Sequence, residues 1–135
     1  MTHTALELHD SLLIAITEVG TQAIVLLNAY LHKSEGRPAW DAGSGYIQAV
    51  ALTFGEAIIE GEPSEFSLDI YVGKISIDGE ILSNTFPIPF CHTGEIVLTL
   101  QVGEPSPVIV RGKQVILTLI GEAVYVEEFP GAAVK

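Results

Sequence analysis

The stretch Lys74-Ile-Ser-Ile-Asp78-Gly79-Glu-Ile-Leu-Ser83 decides the fold. Asp-Gly suits a type I′ turn, in which both central residues take positive φ, and short alternating segments flank it, so the segment predicts a two-residue β-hairpin. The same period of two extends in both directions. Downstream, Ile96, Leu98, Leu100 and Val102 alternate with Glu95, Val97, Thr99 and Gln101, before Gly103-Glu104-Pro105-Ser106-Pro107 stops the strand. Val115, Leu117 and Leu119 repeat the pattern between turns expected at Arg111-Gly112-Lys113 and Gly121-Glu122, and a final strand, Ala123 to Phe129, ends at Pro130-Gly131. Upstream, Phe66, Leu68, Ile70 and Val72 alternate with Ser67, Asp69 and Tyr71. Tyr46 to Phe54 is apolar on both faces, as a central strand or one covered by a partner would be.

The first third of the chain is harder to read. Ile24-Val-Leu-Leu-Asn-Ala-Tyr-Leu31 is long enough for a helix, and periodicity alone does not settle a continuous apolar run. Its Ile and Val content and the lack of a helix cap favour a strand, with Gly20-Thr21-Gln22 turning a hairpin between Ser11–Val19 and Ala23–Lys33. Short strands without crossover helices must pair antiparallel. The expected fold is therefore an all-β antiparallel sandwich or flattened barrel of eight to ten strands, one domain over residues 1–135. Gly-Glu recurs at 55, 79, 94 and 121 without a fixed period, which marks turns rather than a repeat architecture.

Charge narrows the partners. Net charge is −11, and the six cations, Lys33, Arg37, Lys74, Arg111, Lys113 and Lys135, stand singly. Nucleic acids and anionic membranes both require clustered cations, so neither is an expected partner. No run of about 20 apolar residues and no cationic leader is present, and a single cysteine, Cys91, permits no internal disulfide; a cytoplasmic address is the expectation. The 48% hydrophobic content and only 17% charged residues exclude a disordered chain.

Catalytic signatures are absent: there is no nucleophile elbow, phosphate-binding loop, dinucleotide fingerprint or zinc-protease motif. His3, His9, His32 and His92 show no ligand spacing; Cys91 and His92, placed in a loop, could join His32 in a three-ligand site, but adjacent strand residues point to opposite faces. Asp41-Ala-Gly-Ser-Gly45 and Glu60-Gly-Glu-Pro-Ser-Glu65 do not match a calcium loop. No metal and no cofactor is expected.

The richest constellation lies between Tyr30 and Gln48. It gathers Tyr30, His32, Arg37, Trp40, Asp41 and Tyr46, including the only Trp. Aromatic faces, a cation and a carboxylate on an inter-strand loop can grip a sugar, a peptide or a second subunit. The competing role for Trp40 is a buried cap on the open end of the sandwich, with Arg37 and Asp41 paired locally, and the sequence favours that cap. A second candidate is the C-terminal strand, where Tyr125 and Glu127 should share one face and Val124 and Val126 the other; as an expected edge strand its charges read first as protection against aggregation and only second as ligand contacts. The expected function is a non-enzymatic binding or interaction module that forms a homodimer or higher homo-oligomer. The alternative is a small-ligand binder, for instance of a carbohydrate, or an enzyme with its pocket at Tyr30–Gln48 and Asp41 or His32 as proton-transfer group.

Overall fold

A computed structural model describes residues 2–38, 40–61, 68–82, 85–102 and 107–130. Ten strands are present among them: β1 (His3–Val19), β2 (Gln22–Ser34), β3 (Gly43–Gly55), β4 (Ile58–Glu60), β5 (Leu68–Asp69), β6 (Val72–Ile77), β7 (Glu80–Ile81), β8 (Thr85–Ile88), β9 (Cys91–Gln101) and β10 (Val108–Phe129). All pairings are antiparallel, in the order β5-β1-β2-β3-β10-β9-β6-β7, with β8 also on β1 and β4 on β10. The sheet curls into a half-barrel, in keeping with the expected sandwich or flattened barrel.

The curl has a simple cause. β5 pairs with β1 at one end of the sheet and β6 pairs with β9 near the other, yet only Ile70 and Tyr71 separate them. Two residues therefore tie the ends together. Leu8 of β1 lies directly against Gly73 of β6, where a Cβ would collide with the leucine side chain. The alternation from Phe66 to Val72 thus does not form one strand; it breaks at this corner, and residues 62–67 lie outside the described part of the chain.

On β2 and β3 the side chains alternate as period two requires. Ala23, Val25, Leu27, Ala29 and Leu31 face inward opposite Phe54, Leu52, Val50, Gln48 and Tyr46. The apolar members of the inward set, joined by Leu6, Leu13, Phe86, Phe90, Leu98, Leu100 and Val115, form a continuous core. Ile24, Leu26, Ala49 and Ala51 face outward and are half-buried. β3 is central, as its two apolar faces suggested.

The Gly20-Thr21 hairpin and the strand reading of residues 23–33 hold, and Asp78 and Gly79 take φ values of 51° and 85° at the β6–β7 turn. Two expected turns are instead bulges. At Gly112 and again between Ile120 and Val124 the register shifts while the strand continues, so 115–119 and 123–129 belong to one 22-residue strand. Gly121, at φ 69°, supplies the left-handed residue that this second bulge needs. Cys91 and His92, expected in a loop, lie in β9. The stop at Gly103–Ser106 and the Gly131 end of the chain's last turn lie outside the described residues. No helix long and apolar enough to cross a membrane occurs among the described residues.

Candidate functional site

The β2–β3 hairpin carries all six residues singled out between Tyr30 and Gln48, but its register divides them into three groups. His32 pairs with Gly45 and Leu31 with Tyr46, so Tyr30 and His32 emerge on the outer face while Tyr46 emerges on the inner one. Arg37, Trp40 and Asp41 occupy the tip between them.

The outer group is a latch across four strands. A bulge in β1 between Glu7 and Leu12 is plugged by Ser11, whose Oγ donates to the Glu7 carbonyl at 2.7 Å and accepts from the Tyr30 amide at 2.9 Å. Glu7 then lies beside His32, with Oε2 2.6 Å from Nε2. The His32 ring is flanked edge-on by Tyr30 and Phe129, each at 4.9 Å between centroids. Tyr30 Oη donates to Glu127 Oε1 at 2.9 Å. Burial, reinforced by that carboxylate, holds the Tyr30 phenol far above its ordinary pKa. His32 is only 5% exposed and packed between aromatic rings, where it ties β2 to β1 and β10.

On the inner face, Lys33 Nζ sits 4.5 Å from the centre of the Tyr46 ring, and Tyr46 meets Tyr125 edge-on at 5.7 Å. Glu128 Oε1 accepts from Tyr125 Oη at 3.0 Å and from Ser44 Oγ at 3.2 Å. Desolvation first, and Glu128 second, raise the Tyr125 pKa. Tyr125 and Glu127 do not share a face as expected. The register shifts again between them, sending Tyr125 to Tyr46 on the inner side and Glu127 to Tyr30 on the outer side.

The hairpin tip folds on itself. Asp41 Oδ2 accepts from the Arg37 amide at 2.5 Å, the amides of Trp40 and Asp41 donate to the Arg37 carbonyl, and Ser34 Oγ bridges Gly36 and Ala42. The Arg37 guanidinium lies over the Trp40 ring at 4.7 Å. Trp40 itself is 51% exposed, so it is not the buried cap that the sequence favoured. Ala39 lies outside the described residues.

A cleft of about 580 Å³ opens beside the tip, between the first residues of β1, β8 and the loop at Gly36–Pro38. Sequence reading missed it because β8 is brought to β1 only by tertiary pairing, Thr4 opposite Ile88 and Leu6 opposite Phe86. Among the described residues no three His, Cys, Asp or Glu side chains gather as a metal site. No protein-family model, curated protein or solved structure matches this chain.

Proposed function

We propose that the chain is a non-enzymatic interaction module that self-associates, most simply as a two-fold dimer, through the C-terminal half of β10. The carrying observation is the state of that segment. β9 pairs with β10 only as far as Ile116, opposite Cys91, whereas β3 continues alongside it to Phe129. Beyond Leu117, whose amide donates to the Phe90 carbonyl, one edge of a long strand has no neighbouring strand among the described residues. Leu119, Ile120, Val124, Tyr125 and Val126 on that segment are each between 43% and 65% exposed.

A free edge with apolar side chains on both faces is a template for strand addition. An antiparallel pairing of β10 with its copy satisfies a two-fold axis and continues the outward apolar surface of Ile24, Leu26, Ala49 and Ala51 across the junction. The bulge at Gly121–Ala123 and the charge of Glu122 restrict the registers in which such an edge can pair. Cys91 is exposed and unpaired, which fits a reducing compartment such as the cytoplasm.

Light scattering on the intact chain at tens of micromolar tests the reading. Wild type is expected at twice the 14.4 kDa chain mass. Val124→Lys, at a position 65% exposed and therefore tolerant of substitution, is expected to be monomeric with an unchanged melting curve. A monomeric wild type overturns the proposal.

A further inference from the structure

We propose that the cleft beside the hairpin tip binds small apolar monocarboxylates, with Arg37 receiving the carboxylate and the β8 wall receiving the apolar body. This site is separate from the β10 edge, and its test does not depend on self-association.

Charge is the first ground. In a chain with 17 Asp and Glu against six Lys and Arg, the cleft is lined by no carboxylate side chain, and its ionisable lining residues are Arg37 and His3. Asp41, in the same loop, accepts from the Arg37 main-chain amide. No ion pair holds the Arg37 guanidinium among the described residues, in contrast to Arg111 with Glu60 and Lys113 with Glu95. Its plane is held over Trp40, which orders the fork of donors before any ligand arrives. Guanidinium geometry matches a carboxylate through two parallel hydrogen bonds.

The second ground is the cleft's shape and wall. A volume of about 580 Å³ falls within the range of small-molecule sites, roughly 300–1,000 Å³. Pro38, Pro87 and Ile88 supply apolar surface, with Thr4 and Thr85 also on the lining; Phe86 lies behind them in the core, 1% exposed. A phosphate or another polyanion would leave that wall unused, and the net charge of −11 opposes it more than a single charge. Neutral apolar molecules would leave the guanidinium without its partner. At physiological salt the Debye length is about 8 Å, so the carboxylates farther from the cleft are screened.

Trp40, the single Trp of the chain, is a built-in reporter because its ring touches the guanidinium. The experiment titrates the intact protein at physiological ionic strength with benzoate, benzyl alcohol and acetate, following Trp40 emission and, independently, heat by calorimetry. Saturable binding of benzoate, with benzyl alcohol and acetate each at least about tenfold weaker, is the expected result. Arg37→Gln and Pro87→Glu, both at exposed positions, are expected to weaken benzoate by a similar factor while melting like wild type. Equal binding of benzoate and benzyl alcohol, unchanged affinity in Arg37→Gln, or no heat and no saturable emission change with benzoate each overturns the proposal.

Discussion

Tyr30 reaches Glu127 by crossing the strand between them at Gly45. A Cβ at Gly45 would fall on the Tyr30 hydroxyl, so the bare backbone of β3 is what lets β2 and β10 bond side chain to side chain across it. The latch is therefore encoded in a residue that takes no part in it.

Gly45→Ala should destabilise the protein by about 1–3 kcal/mol, as overpacked positions do. Gly55, on the same strand, supplies the control, because a Cβ there meets Gln114 at 3.4 Å or more. Gly55→Ala should be neutral or slightly stabilising, since it also reduces the freedom of the unfolded chain. Urea melts of the two variants give the comparison, and equal losses would mean that strand glycine content, not the Tyr30 crossing, sets the cost.

Alkaline pH should loosen the same latch. The Tyr30 pKa is raised in the folded state above its usual value near 10, with burial the larger cause and Glu127 the next. A group whose folded pKa lies above the unfolded one binds more protons when folded. Its contribution is complete below the unfolded pKa and is lost as pH rises through the folded one. Stability measured by urea melts should thus fall with increasing pH above about 10. In Tyr30→Phe that part of the slope should vanish, and a slope identical to wild type would assign it to other groups.

Trp40→Ala should leave stability nearly unchanged. The ring is half exposed and its principal contact is Arg37, an exposed cation–π pair of about 0.5–1 kcal/mol. A buried aromatic cap would instead cost about 3–5 kcal/mol on truncation. Denaturant midpoints of wild type and Trp40→Ala separate these values, and a loss in the upper range would restore Trp40 to the role of cap.

The sequence disclosed strands far better than it disclosed faces. Asp78-Gly79 and the alternation of residues 95–102 are local signals, and local pairing realised them. Whether Tyr30 and Tyr46 share a face depends on hairpin register, which the length of the 35–42 loop fixes and which no periodicity records. Glycine deceived the reading for a related reason. A glycine in a turn and a glycine in a bulge occupy the same left-handed region, so Gly121 looked like the end of a strand that in fact runs on to Phe129. Tyr125 and Glu127 were separated by one such inserted residue, and the His32 latch and the β8 cleft both require β1 to meet elements 25 or more residues away.

Salt should strengthen self-association. Two copies that each carry a charge of −11 repel, and Glu122, Glu127 and Glu128 lie on the joining strand itself. The attraction argued for β10 comes from backbone pairing and from apolar side chains such as Val124 and Leu119, neither of which salt screens appreciably. Shortening the Debye length from about 10 Å at 0.1 M to about 3 Å at 1 M removes most of the repulsion and leaves the attraction in place. Sedimentation equilibrium across that range should show the dissociation constant falling as salt rises. A constant that increases with salt would identify ion pairs as the holding force, and the apolar edge of β10 would then not be the interface.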